Sequence, residues 1–142
     1  MNRGDLVAFY PRSIIERIIA RYDGKYCHIG ICIGNKQILS MTRYGVDIKQ
    51  ITEYKNRYDV FSIDTDKQNE LIKFLLSLTP VSKYDYSGIV SIVFPFVRQS
   101  SRRFYCSEFI TLGLYYIGLL PEKLQLTPLE LVNEYFITKY TL

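Results

Sequence analysis

Two side chains in this 142-residue chain have the types and settings that acyl transfer needs. Cys106 lies in Tyr105-Cys106-Ser107-Glu108, just ahead of Phe109, Ile110, Leu112, Leu114 and Ile117, which recur at helical spacing until Pro121 stops them. The thiol therefore falls in the first turn of a helix, where unpaired backbone N–H groups and the positive end of the dipole favour thiolate. His28, the single histidine, sits in Tyr26-Cys27-His28-Ile29-Gly30-Ile31-Cys32-Ile33. Side chains alternate along a strand, so Cys27, Ile29, Ile31 and Ile33 turn to the core while His28, Gly30 and Cys32 take the other face. Gly30 leaves room there for another element to approach. Taken singly, the two residues read as a small buried hydrophobe and a structural histidine. Brought together by helices covering the sheet, they would form a thiolate–imidazolium nucleophile.

The elements that must position them can be read from pattern. Asp5-Leu6-Val7-Ala8-Phe9-Tyr10 is a short strand ended by Pro11. Ser13-Ile14-Ile15-Glu16 spells a capping box, and Ile14, Ile15, Ile18, Ile19 and Tyr22 continue it as a helix to about residue 22, where Asp23-Gly24 breaks it. The histidine strand turns at Gly34-Asn35 into Lys36–Thr42, followed by Tyr44–Ile51, with Val46, Ile48 and Gln50 on one face. Tyr58–Asp64 sets Val60 and Ser62 opposite Phe61 and Ile63. Thr65-Asp66-Lys67-Gln68 is a second capping-box spelling, opening a helix whose stripe runs Leu71, Ile72, Phe74, Leu75, Leu76 and Leu78. Thr127-Pro128-Leu129-Glu130 opens the last helix, to about Ile137. Residues 84–103 are a helix broken near Phe94-Pro95, or irregular. The result is one α+β domain, a small antiparallel sheet covered by helices.

Composition narrows the function classes. Apolar residues make up 48% and charged residues 23%, which suits a folded core and not disorder. A formal charge of +4, with only Arg98–Arg103 clustered and no nucleic-acid motif around it, gives no nucleic-acid partner. At the N-terminus Asp5 and Pro11 interrupt any apolar run before signal-peptide length, and no run elsewhere reaches a membrane span, so a cytoplasmic protein without an integral membrane segment is expected. Cys27, Cys32 and Cys106 are odd in number and lack paired metal spacing, which leaves reduced thiols and no metal or other cofactor.

Gly4-Asp5-Leu6-Val7-Ala8-Phe9, then His28-Ile29-Gly30-Ile31-Cys32-Ile33-Gly34, then Tyr84-Asp85-Tyr86-Ser87-Gly88, then Tyr105-Cys106-Ser107-Glu108-Phe109-Ile110 occur in an order that resembles the circularly permuted papain-like peptidases of the NlpC superfamily, in particular the YiiX-like group. The similarity runs from Gly4 to about Leu131. It implies a permuted papain-like (NlpC-type) fold in which the histidine strand precedes the cysteine helix. It also implies a cysteine peptidase or amidase, with Cys106 as nucleophile, His28 as general base and the Cys106 N–H in an oxyanion hole. Relatives carry a polar group on the next strand to orient the imidazole, and that slot falls on Ser40. Thr42 shares its face, and a register one residue different brings in Met41. A neutral hydroxyl stabilises imidazolium less than a carboxylate would.

Further residues carry weaker expectations. Asp5 reads as a turn or backbone cap, with substrate contact as the role the resemblance suggests. Tyr84 is expected to line the pocket, and Tyr105 to pack or to touch substrate. Glu108 should face solvent or pair locally, its charge suiting the helix dipole. Cys32 could approach the site or serve as filler. The substrate is a small peptide or acylated amine. A lecithin:retinol acyltransferase-like enzyme acting on lipid esters is the alternative, since that branch has the same order of histidine and cysteine. A catalytically silent binding module, favoured by Ser40, is the third reading.

Overall fold

Short runs of branched and aromatic residues alternate in and out to build a fully antiparallel sheet. The computed structural model describes residues 1–14, 17, 25–42, 45–63, 65–79, 104–120, 128–134 and 138–140. Its strands are β1 (Leu6–Phe9), β2 (His28–Gly34), β3 (Gln37–Thr42), β4 (Gly45–Gln50), β5 (Tyr58–Ser62) and β6 (Thr138–Tyr140), and its helices are α1 (Gln68–Ser77), α2 (Phe104–Tyr116) and α3 (Pro128–Glu134). The sheet order is β4-β3-β2-β1-β5-β6. The architecture is thus α+β with helices against an antiparallel sheet. The sixth strand is absent from the sequence reading, because three residues are too few to carry an alternation. The helix expected over residues 13–22 lies largely outside the described residues. Its Ser13 carbonyl accepts from the Arg17 N–H at 2.9 Å, while Ile14, expected in its apolar stripe, is exposed.

Period-two burial separates two clusters, one on each face. Leu6 and Ala8 of β1, Ile29 and Ile31 of β2, Leu39 and Met41 of β3 and Phe61 of β5 meet the helices through Leu71, Leu75, Phe109, Ile110, Leu114 and Leu131. Val7 and Phe9, Cys32 and Ile38 form the second cluster with Ile51, flanked by Met1, Tyr54 and Tyr58. Cys32 is core filler there. Gly30 is required, though not to admit another element: a Cβ on it would lie 2.5 Å from Ile38 Cγ2 and 3.0 Å from the Leu39 carbonyl oxygen. The neighbouring strand takes up the space expected for something new.

Local signals held unevenly. Asn35 and Lys36 both have positive φ, 50° and 58°, forming the two-residue turn between β2 and β3 that matches strand twist. The second capping box does not form. Lys67 caps α1 without a side-chain bond, Thr65 Oγ1 accepts from the Lys67 N–H at 3.1 Å, and Gln68 Nε2 donates to the Ile63 carbonyl. Thr65 thus closes a turn one step early, and the Gln reaches the end of β5. A reciprocal box occurs instead at Gln50 and Glu53, around the 3-10 turn Ile51–Glu53. Helix α2 ends before Pro121, because Gly118 takes φ +79° and the Leu119 and Gly118 amides bond back to Leu114 and Tyr115.

Candidate functional site

Cys106 is the third residue of α2, in the first turn as its setting required. The start of this helix packs over β2 and β3. From Cys106 to Leu114 every side chain is buried, so this is a central helix and not an amphipathic one. Gly113 permits the close approach of α1, since a Cβ there would fall 2.6 Å from Leu71 Cδ1 and 2.8 Å from Leu75 Cδ2.

The sulfur meets three backbone amides. Those of Ile29, Ser107 and Cys106 itself hydrogen-bond to it and favour thiolate, yet burial outweighs them and pushes the thiol up from 9.0 to about 11, with the Glu108 carboxylate adding to the rise. Cys106 is only 2% exposed. At neutral pH it is therefore a protonated thiol in this conformation, with a thiolate fraction on the order of one in ten thousand.

The Ile29 contact has a cause in the ladder. Cys32 donates to Asp5 on the β1 side at 2.8 Å, so alternation turns the Ile29 N–H toward β3. The β2–β3 register runs Ile31↔Leu39, Cys32↔Ile38 and Gly34↔Gln37, which leaves the Ile29 amide ahead of the paired stretch. The cysteine takes that donor. His28 is the residue immediately before it, so cysteine and histidine come to the same end of β2.

The imidazole faces an aromatic group on the side of the sheet away from the helices, which were expected to cover it and instead pack on the Ile29 and Ile31 face. Its centroid is 5.7 Å from Phe9 and 6.3 Å from Tyr54, and Phe9 and Tyr54 stack at 4.3 Å. Tyr58 joins at 6.0 Å from Phe9. Sequence reasoning missed Phe9 and Tyr54 as neighbours of His28. Phe9 could have been found as the β1 residue opposite it, whereas Tyr54 belongs to a connecting segment with no periodicity.

Ser40 lies on the histidine's face, wholly buried, but its hydroxyl meets the Tyr54 hydroxyl at 3.4 Å. Thr42 Oγ1 donates to the Gly45 carbonyl at 3.0 Å. Met41 points to the helix side with Leu39. Asp5 closes the first turn, its Oδ2 accepting from the Asn2 N–H at 2.6 Å while its own N–H donates to the Asn2 carbonyl. This is the backbone cap. Glu108, expected to face solvent or pair locally, is 2% exposed, because α2 is enclosed from Cys106 to Leu114. Tyr84, Asp85 and Arg98–Arg103 lie outside the described residues, as does the side chain of Tyr105.

No family model and no curated protein matches this chain. Its chemistry must be argued from its own residues. Among those described, no three His, Cys, Asp or Glu side chains are grouped to hold a metal ion, and no helix is long and apolar enough to cross a membrane.

A second polar group ties down the far end of β1. Tyr10 and Tyr26 both donate to Asp59 Oδ2, with Lys25 over the Tyr26 ring at 4.9 Å and Arg57 over Tyr10 at 5.0 Å. Burial first, and then Asp59, hold the Tyr26 hydroxyl far above its ordinary range. A phenol so held stays protonated and serves as a fixed donor.

Proposed function

We propose that this chain is a permuted papain-like thiol hydrolase that cleaves an amide bond in a peptide or acylated amine through a thioester on Cys106. The observation that carries the reading is the meeting of α2's amino end with the start of β2, where the amide of the residue after His28 hydrogen-bonds to the sulfur. A histidine strand first and a cysteine helix later, packed at one end of an antiparallel sheet, supports the permuted fold.

Because the buried thiol is pushed up to about 11, His28 acts in this reading as a general base at the moment of attack, not as half of a standing ion pair. The reading requires the imidazole, in ring contact with Phe9 and Tyr54 on the face away from the helices, to take the thiol proton round the end of β2 as the sulfur bonds to the carbonyl carbon. The amine then leaves with that proton, and the thioester remains. Water attacks the thioester, gives a proton to the imidazole and releases the carboxylic acid. The proton returns to the thiol as the sulfur leaves.

The test is incubation of the protein with peptide, acylated-amine and phospholipid panels, followed by mass spectrometry of the Cys106 peptide. An acyl mass from the amides, absent in Cys106→Ala, is the expected result. Acyl transfer from phospholipid alone would move the reading to the lipid branch. The silent binding module is the second reading, and the near-complete burial of the thiol favours it. It prevails if no panel acylates Cys106 and His28→Ala leaves thiol reactivity unchanged.

A further inference from the structure

Ser40 stands where an orienting group for the imidazole was expected, and its hydroxyl is engaged elsewhere. Among the described residues its hydrogen-bond partner is Tyr54, at 3.4 Å. Tyr54 in turn lies within ring contact of His28 and stacks on Phe9, which is itself in ring contact with His28. The three rings are nearly parallel, with interplanar angles of 21°, 25° and 33°. Phe9 is fixed by burial in the second cluster. Tyr54 is fixed at its ring by that stack and at its hydroxyl by Ser40, while its backbone N–H closes the 3-10 turn on the Ile51 carbonyl at 3.2 Å.

We propose that Tyr54 is the positioning residue of His28, and that Ser40 acts on the imidazole only through the Tyr54 hydroxyl. The significance for catalysis rests on the thiol-hydrolase reading above; the coupling between the three side chains does not. A planar ring held on one side sets the plane in which the imidazole can lie, and a buried hydroxyl pair keeps that ring from sliding. Removing either hydroxyl leaves the other buried without its partner, at a cost that moves the ring. The same device explains how a serine fills a slot where a larger polar side chain would reach the imidazole itself.

Other groups reach this cluster and must stay constant in a test. Asp47 and Lys49 from β4 and Glu53 from the turn act on the Tyr54 hydroxyl, whose pKa is raised mainly by burial. Tyr58 from β5 faces Phe9. Cys32 follows on the same face of β2. None of them is altered by the substitutions below.

The chain's single histidine gives a single imidazole signal, so its titration can be followed by proton magnetic resonance without any activity. Wild type, Ser40→Ala, Tyr54→Phe and the double variant form a cycle, with Ser40→Thr as the variant that keeps a hydroxyl. The expected result is a change of about half a pH unit in the His28 midpoint on Ser40→Ala, threefold in proton affinity, and none when the same change is made in Tyr54→Phe. Ser40→Thr should restore the wild-type midpoint. An equal change in both backgrounds means that Ser40 touches the imidazole directly and overturns the proposal; so does no change in either. Acylation of Cys106 is measured separately, so its failure with the coupling intact removes the hydrolase reading alone. Tyr54→Leu, which discards the platform, gives the second check: it should shift the midpoint in folded protein as judged by amide spectra, and an unmoved midpoint there also overturns the proposal.

Discussion

At the scale of single residues, burial decides what Cys106 is. Its thiol has an ordinary value of 9.0 when unfolded and is pushed up to about 11 when folded. The folded state therefore holds the proton more tightly, and this contribution to stability is fully present below about pH 9 and lost as pH rises toward 11. Two units correspond to about 3 kcal/mol. Denaturant titrations of wild type and Cys106→Ala should show a steeper loss in wild type across that window, whatever the offset between them. Parallel curves would mean the thiol is not desolvated. The settings of Cys106, in a helix's first turn, and of His28, at the start of a strand, were legible because their surroundings are strongly patterned. The solvent-facing alternative for Glu108 failed because a first-turn carboxylate looks exposed unless the helix is known to be enclosed, and Tyr54 was invisible because its neighbours come from strands far away in sequence.

The elements were legible where periodicity persisted for several residues and opaque where it did not. Alternation in β2 and β5 put the right residues on each face, and the stripe of α1 was read correctly from Leu71, Ile72 and Leu75. Capping chemistry misled at Thr65, since the same four residues can close a turn against β5 as readily as they can close a helix. Gly113 in α2 and Gly118 just beyond its end test how the helix is seated and ended. Gly113→Val would drive branched carbon into Leu71 and Leu75, both buried, and should cost about 1–3 kcal/mol in urea titrations. Gly118→Ala meets no atom within 4 Å, so its expected cost of about 1 kcal/mol comes from the left-handed backbone alone. A larger loss at Gly118 than at Gly113 would contradict this account of α2.

Across the whole molecule, one sheet separates a helix-packed face from an aromatic one, and the cysteine and the histidine reach the same end of β2 from those two sides. That division was half legible: the aliphatic face of β2 was read as core, while the cysteine helix, expected over the histidine's face, packs on the aliphatic one. Because α2 is buried from Cys106 to Leu114, its amides from Phe109 to Leu114 should exchange with solvent only through global unfolding. Hydrogen exchange under mild denaturant should give them the highest protection in the chain, with the outer strand β4, where Ile48 is 39% exposed, well below. Early exchange in α2 would mean that the helix opens locally. The central claim, that His28 serves as the base for Cys106, is tested most directly by the rate of Cys106 alkylation against pH in wild type and His28→Ala. The account predicts an inflection set by ionisation of the imidazole in wild type, with neutral-pH reactivity above that of a thiol at about 11, and both features lost in His28→Ala. Superimposable profiles, or a native thiol that no reagent reaches at any pH, would contradict it.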